Sequence, residues 1–187
     1  PEGNETETNV GTWEGERVPQ VSTLAREPNG TWEQWLLSDY IDTSWNTTTV
    51  MPWILVEFAS TDCSHCWNAA DELSTWSEQY GNETNFIAFA VNFSSNNNFN
   101  ASREEVVAFQ EQTTYVGCVG GNYDCAGRPG SPHQFGYIDD RNQTVMYQWG
   151  VGSTPTFFII QPNGIVAWDK NSEDNIEDAL EQFFGEE

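Results

Sequence analysis

The fold of this chain is decided by residues 53–66, which read WILVEFASTDCSHC. Residues 53–59 form a short apolar run rich in strand-forming residues, which predicts a buried central strand. Across residues 64–80 apolar residues recur at three- and four-residue spacing, the pattern of an amphipathic helix. Cys63 and Cys66, the two cysteines of a Cys-x-x-Cys motif, therefore lie where a buried strand passes into a helix.

The spacing of Cys63 and Cys66 suits thiol–disulfide chemistry. Two thiols three residues apart on a first helical turn close into a disulfide with little rearrangement. The first is the exposed one, and the free N–H groups and positive dipole end of the helix stabilise its thiolate. We therefore expect Cys63 to attack a substrate disulfide and Cys66 to resolve the mixed disulfide. The same motif also occurs in zinc sites and structural disulfides, so it does not decide the function alone.

Two further residues of this stretch favour the same chemistry. Glu57 lies six residues before Cys63 in an otherwise apolar strand, and its alternation with Leu55 places it on the sheet face under the expected helix. Burial should raise the pKa of this carboxyl toward the range of a general base, so we expect Glu57 to accept the proton of Cys66. A surface glutamate on a half-exposed strand is the alternative. His65, between the cysteines, can donate to the Cys63 thiolate or attract it.

The rest of the chain predicts an α/β domain after a tail. Residues 1–30 are polar, acidic and without apolar periodicity, and we interpret them as a flexible acidic stalk before a domain that spans residues 31–187. Residues 114–134, rich in Gly and Pro, are predicted to form an inserted loop. Ser102 and Ser172 are expected to cap the second and the last helix. The further predicted elements are a strand at 85–93, a helix at 102–112, a short helix at 143–149, a hairpin of 156–160 with 165–168, and a helix at 173–184.

A second motif occupies residues 150–157, which read GVGSTPTF. A proline just before a buried strand lacks a ladder donor and so belongs at the start of the strand, and X-Pro bonds are where cis peptides occur. Together, the VEFA, CSHC and TPT segments resemble the thioredoxin superfamily. The Cys-x-His-Cys motif is similar to that of protein disulfide isomerase domains, and the layout of residues 32–184 resembles exported TlpA/ResA-like thiol–disulfide oxidoreductases.

The resemblance implies a thioredoxin fold, with a central mixed sheet flanked by helices, and disulfide exchange with protein substrates and a redox partner protein. It assigns Cys63 as nucleophile, Cys66 as resolving thiol and Glu57 as proton acceptor. It also implies that Thr154 and a cis Pro155 line the substrate groove. No cofactor and no metal are expected. The direction of electron flow stays open, since His65 favours an oxidant or isomerase and the TlpA/ResA-like layout a reductase.

Some features depart from these families or belong to others. Asp62 stands where the family usually has Trp, and its carboxylate should oppose the Cys63 thiolate. The Pro-xxx-Thr-xx-Cys pattern of peroxiredoxins is absent. Copper-delivering relatives usually have Cys-xxx-Cys and a distant His, whereas His133 is expected to be a solvated loop residue. A non-catalytic binding or copper-chaperone module with a thioredoxin fold is nevertheless the alternative function.

The second cysteine pair, Cys118 and Cys125, lies within the inserted loop. We interpret it as a structural disulfide closing a short loop. A second redox relay that passes electrons to the first pair is an alternative. A zinc site built from all four cysteines is another, although the long separation and unequal spacings of the pairs disfavour it.

The composition limits the kinds of partner that this chain is expected to bind. The net charge of −23 repels nucleic acid and anionic lipid, so neither is expected as a partner. Such acidity serves solubility or indicates a halophilic protein, because a Debye length of about 3 Å in 1 M salt screens the self-repulsion. The chain is expected to be a monomer.

Glycan acceptor motifs and paired cysteines indicate the compartment. Seven Asn-x-Ser/Thr motifs exceed the number that the Asn, Ser and Thr content predicts by chance. Acceptor sites are exposed on exported glycoproteins, although an Asn- and Thr-rich polar surface without glycans is the alternative. We expect a secreted or cell-surface location, with any membrane anchor outside the given sequence. The motifs begin at Asn4, Asn29, Asn46, Asn82, Asn92, Asn100 and Asn142.

Overall fold

The computed structural model describes residues 9–92 and 100–185. The strands are β1 Ser22–Arg26, β2 Glu33–Leu36, β3 Trp53–Ala59, β4 Thr84–Val91, β5 Val116–Gly117, β6 Tyr123–Asp124, β7 Gly136–Asp140, β8 Thr156–Ile160 and β9 Val166–Trp168. Seven of them form one sheet in the order β2-β1-β7-β4-β3-β8-β9, and β5 pairs with β6. The neighbours β3, β4 and β7 run parallel, whereas β1, β2, β8 and β9 join by antiparallel pairing. The predicted mixed central sheet is confirmed.

The helices are α1 Ser64–Gln79, α2 Arg103–Glu111, a single turn α3 Cys118–Gly121, α4 Thr144–Gln148 and α5 Ile176–Phe184, with 3-10 turns at Leu37–Tyr40 and Cys125–Gly127. The Ser102 hydroxyl caps α2 as predicted, accepting from the Glu105 N–H at 3.1 Å. The predicted start of the last helix is wrong. Asn175 caps α5, and the Ser172 hydroxyl instead accepts from the backbone N–H of Asp169 in the preceding turn.

The alternation of β3 divides the interior into two layers. Ile54, Val56 and Phe58 face one layer, while Leu55 and Glu57 face the other. The first layer is closed by α4 and by residues of the N-terminal segment. The second is covered by α1, α2 and α5, and it also contains both cysteines of the inserted loop. Glu57 is thus a carboxyl group on the face that carries the helix of the Cys-x-x-Cys motif.

The N-terminal segment is not the flexible stalk that its composition predicts. Strand β1 pairs with β2 and β7 inside the sheet, and Val18 and Val21 are only 1% and 5% exposed. The backbone N–H of Val18 donates to the carbonyl of Gly164 at 3.0 Å. The domain therefore begins well before residue 31, and residues 1–8 lie outside the described part. Strand β1 was not predicted because several of its residues are polar and one of its pairing partners, β7, lies far along the chain.

Within the described ranges, no helix combines the length and apolarity needed to cross a membrane.

Candidate active site

Cys63 lies at the junction of β3 and α1, in the position that caps the helix. Its backbone is extended (φ −90°, ψ 120°), and its Sγ accepts from the N–H of Cys66 at 3.3 Å. Both thiols are free; Cys63 is partly exposed, whereas Cys66 is fully buried. A sulfur at the N-terminus of α1 faces unpaired N–H groups and the positive end of the helix dipole, which favour its thiolate.

The pKa values of the two thiols are shifted in opposite directions. Hydrogen bonding from the Cys66 thiol, and then from the backbone N–H groups of Cys66 and His65, lowers the pKa of Cys63 to about 5, although partial burial opposes this. Burial raises the pKa of Cys66 well above its ordinary value, and the nearby Cys63 and Glu57 raise it further. At neutral pH, Cys63 is therefore the thiolate and Cys66 the thiol.

Glu57 is buried beneath this pair. It is 0% exposed, and within the described residues neither carboxyl oxygen has a hydrogen-bond partner. Burial, and then the charge on Cys63, raise the pKa of Glu57 to about 8, while the positive charge of Arg128 lowers it. A carboxyl group in this state changes its protonation near neutral pH, as a proton acceptor must. The alternative of a surface glutamate is wrong.

The segment just before β8 faces Cys63 from the other side. The carbonyl oxygen of Thr154 lies 3.4 Å from the Sγ of Cys63, and the Thr154–Pro155 peptide bond is cis. The TPT motif is thus next to the reactive sulfur, 91 residues away in sequence. His65 is exposed on the first turn of α1 and acts on Cys63 through its backbone N–H.

The insertion, residues 114–134, packs against the loop that carries Cys63. Cys118 and Cys125 form a disulfide, and both are fully buried. The N–H of Val119 donates to the carbonyl of Thr61 at 2.8 Å, and the N–H of Gly120 donates to Asp62 Oδ1 at 3.1 Å.

Asp62 is not one of the principal groups that shift the pKa of Cys63, so the opposition expected from its carboxylate is not a main influence on that thiol. Its carboxylate is half-buried and is held by the insertion, and burial raises its pKa.

His133 is not a solvated loop residue, which corrects the sequence prediction. It is 1% exposed; its Nε2 lies 2.9 Å from Arg128 Nη1 and 3.0 Å from the carbonyl oxygen of Ala70 in α1. Its Nδ1 lies 2.8 Å from the hydroxyl of Tyr137. Burial, and then the charge of Arg128, lower the pKa of His133 to about 3, so the ring is neutral. Neither Arg128 nor Tyr137 was predicted from the sequence to belong to the site.

In the ranges 9–92 and 100–185, no group of three or more His, Cys, Asp or Glu side chains is arranged to hold a metal ion.

Comparison with known proteins shows the fold. No protein-family profile and no curated protein match the sequence. The thioredoxin domain of a thiol-disulfide oxidoreductase from Bacteroides vulgatus aligns with a TM-score of 0.57 at 12% identity, over 91% of this chain and 97% of that chain. A secreted disulfide oxidoreductase of Mycobacterium tuberculosis, homologous to E. coli DsbE, aligns with a TM-score of 0.52 at 13% identity, over 85% and 91%. A 2-Cys peroxiredoxin of Plasmodium vivax aligns with a TM-score of 0.60 at 12% identity, over 93% and 86%. The predicted thioredoxin fold is confirmed.

Proposed function

We propose that this protein is a thiol–disulfide oxidoreductase that exchanges disulfides with protein substrates through Cys63 and Cys66. One observation carries the proposal. Within a single Cys-x-x-Cys motif, the partly exposed thiol has its pKa lowered to about 5, and the buried thiol has its pKa raised. This asymmetry separates a nucleophile that is ionised at neutral pH from a second thiol that reacts only after it loses a proton.

The reaction follows from this arrangement. The Cys63 thiolate attacks one sulfur of a substrate disulfide, the substrate S–S bond breaks, and the first substrate thiolate leaves and takes a proton from water. Cys66 then gives its proton to the Glu57 carboxylate, and the new thiolate attacks the Cys63 sulfur. The mixed disulfide breaks, the Cys63–Cys66 disulfide forms, and the second substrate thiolate leaves. Two electrons pass to the substrate, and the reverse sequence oxidises a substrate dithiol.

Substrate would bind along Thr154 and Pro155, because the segment just before β8 lies beside the reactive sulfur. A polypeptide in this groove places its disulfide against Cys63, while Cys66, in the first turn of α1, stays buried. The order of attack is then set by access, with Cys63 first and Cys66 second.

An extracytoplasmic location belongs to the same proposal. A disulfide between two buried cysteines is typical of proteins that fold in an oxidising compartment. A secreted disulfide oxidoreductase shares the fold. Five of the glycan acceptor asparagines are exposed, at Asn29, Asn46, Asn82, Asn100 and Asn142, whereas Asn92 is half-buried and bonded through its side chain, and Asn4 lies outside the described residues.

Single cysteine variants test the function. Cys63→Ser should abolish reduction of a disulfide-bonded protein substrate such as insulin, whereas Cys66→Ser should accumulate mixed disulfides that non-reducing gels resolve. Limiting iodoacetamide should alkylate Cys63 before Cys66. Preferential alkylation of Cys66 would reverse the assignment. Tight copper(I) binding by the reduced protein with negligible exchange would favour the chaperone alternative.

A further inference from the structure

Among the residues that the structure describes, Arg128 is a buried cation with no carboxylate in contact. It lies in the insertion, directly after the 3-10 turn Cys125–Gly127, and is 1% exposed. Its guanidinium donates to the carbonyl oxygens of Phe109, Pro129 and Ser131 at 2.7, 2.7 and 2.8 Å. The described ion pairs involve other arginines. A permanent charge in the interior is costly unless an opposite charge lies within electrostatic reach.

A line of contacts leads from Arg128 toward Glu57. Glu57, Ala88 and Tyr137 lie side by side across the neighbouring strands β3, β4 and β7. Since they occupy one row, their side chains share the sheet face that α1 covers. The hydroxyl of Tyr137 contacts His133 at 2.8 Å, and His133 contacts Arg128 at 2.9 Å. Only the methyl group of Ala88 stands in the row between Glu57 and Tyr137.

We infer that Arg128 is a positioning residue of the redox site, whose fixed charge stabilises the carboxylate form of Glu57, the form that can accept the proton of Cys66. The inference rests on the proposed function for its kinetic consequence. The charge on Glu57 is independent of any substrate and can be measured by itself. The insertion thus supplies the cation that the buried acid needs.

The other groups that face Glu57 do not supply a positive charge. Tyr137 faces it from β7, and burial keeps that phenol protonated by raising its pKa well above the ordinary value. Cys63 and Cys66 face it from the start of α1, and the Cys63 thiolate opposes ionisation of Glu57. His133, from the insertion, is neutral because its pKa is lowered to about 3.

The remaining acidic residues and helices around Glu57 also supply no positive charge among the described residues. Glu105 of α2 is tied to the Thr61 hydroxyl at 2.6 Å, and Asp62 is tied to Gly120. Helix α5 contributes apolar Ala179 and Leu180 to the layer. Arg128 is consequently the cation, among the described residues of this layer, that counteracts the burial of Glu57.

Removing the cation should move the titration of Glu57 upward. An opposite charge within about 4–6 Å of a carboxyl group typically lowers its pKa by about 1–3 units, so for a cation beyond direct contact we take about 1 unit as the upper estimate. In Arg128→Met we therefore expect Glu57 to titrate about one pH unit higher than in the native protein. We expect the resolving step to be about tenfold slower at pH 7, because about tenfold less Glu57 is ionised. Arg128→Lys should restore most of the native Glu57 titration and most of the native rate of the resolving step.

The measurement is carbon-13 NMR of the Glu57 side-chain carboxyl, assigned with Glu57→Gln, in the reduced full chain. It is paired with stopped-flow rates of the resolving step across pH. Arg26→Met is the matched control, since Arg26 is a buried arginine whose charge is paired directly with the carboxylate of Glu111. It should lower stability without moving the Glu57 titration. If Arg128→Met does not fold, Arg128→Gln, which keeps polar donors, takes its place.

Two outcomes would overturn the inference. One is an unchanged Glu57 titration in a folded variant without the Arg128 charge. The other is a rate loss from Arg128→Met that persists in full in the Glu57→Gln background, because a residue that acts through Glu57 has nothing to act on there. If the native protein has no exchange activity, the proposed function fails, while the NMR titration still decides the role of Arg128.

Discussion

Replacing Glu57 with glutamine should change how stability depends on pH. The folded protein holds a proton on Glu57 up to about pH 8, whereas the unfolded chain releases it near the ordinary value of 4.5. Between these pH values the folded state binds more protons, so the free energy of unfolding falls as pH rises, by about 1.4 kcal/mol per pH unit. Over the whole window the native protein loses about 4 kcal/mol through this one group.

Glu57→Gln removes that loss. The buried amide lacks partners, which costs about 1–3 kcal/mol at every pH and so does not alter the slope. The variant should be level with or less stable than the native protein at pH 5. From pH 5 to pH 9, its unfolding free energy relative to the native protein should rise by about 4 kcal/mol. Cys63 titrates in both proteins, and its contribution largely cancels in the difference.

Urea unfolding followed by tryptophan fluorescence, at fixed salt and with both proteins reduced, measures this difference. Glu72→Gln on the exposed face of α1 controls for the loss of one negative charge. The resolving step should also slow by about 10- to 100-fold at pH 7, because Cys66 loses its proton acceptor, and the pH–rate profile should lose one ionisation. A relative stability that changes by less than about 1 kcal/mol across the range would mean that the carboxyl reaches solvent, and the reasoning would be refuted.

Two other predictions concern the cysteine pairs. Replacing Cys118 and Cys125 by serine should lower the free energy of unfolding by about 2–3 kcal/mol in urea titrations. In the native protein, this buried bond should survive a mild reductant that opens Cys63–Cys66, and equal lability in mass mapping would contradict a structural role. With its pKa at about 5, Cys63 lies between the values typical of thioredoxin, about 7, and DsbA, about 3.5. We therefore expect a Cys63–Cys66 reduction potential between about −270 and −120 mV, and equilibration in glutathione buffers that gave a value outside this range would contradict the link between acidity and potential.

Local sequence patterns predict the elements whose stability is local. Strand β3 has the predicted bounds, and α1 ends one residue before the predicted end, because an apolar run and a helical period describe them without knowledge of partners. The Ser102 cap is also a local signal. From β3 and α1 together follow the positions of Cys63, Cys66 and Glu57, since the motif and the strand alternation lie within a few residues of each other.

Features that depend on distant partners could not be predicted. Strand β1 is a strand because β2 and β7 pair with it, and its own residues are partly polar. His133 lies in a stretch rich in Gly and Pro, the usual composition of exposed loops, and is buried by contacts with Tyr137 and Ala70. The sequence does contain one signal for Arg128, because it is one of only six lysine and arginine residues in a chain with a net charge of −23.

The insertion reconciles the high acidity of the chain with the thiol chemistry that we propose for Cys63 and Cys66. Two carboxyl groups flank the thiol pair, Asp62 beside Cys63 and Glu57 beneath Cys66, and a highly acidic protein has few cations with which to offset them. The Asp62 carboxylate accepts a hydrogen bond from the backbone N–H of Gly120 in the insertion, so no basic residue is needed there. For Glu57, the insertion supplies the charge of Arg128. The backbone N–H of Arg128 donates to the carbonyl of disulfide-bonded Cys125 at 3.1 Å. The disulfide anchors the insertion beside the thiol pair, and we propose that this bond takes no part in the exchange.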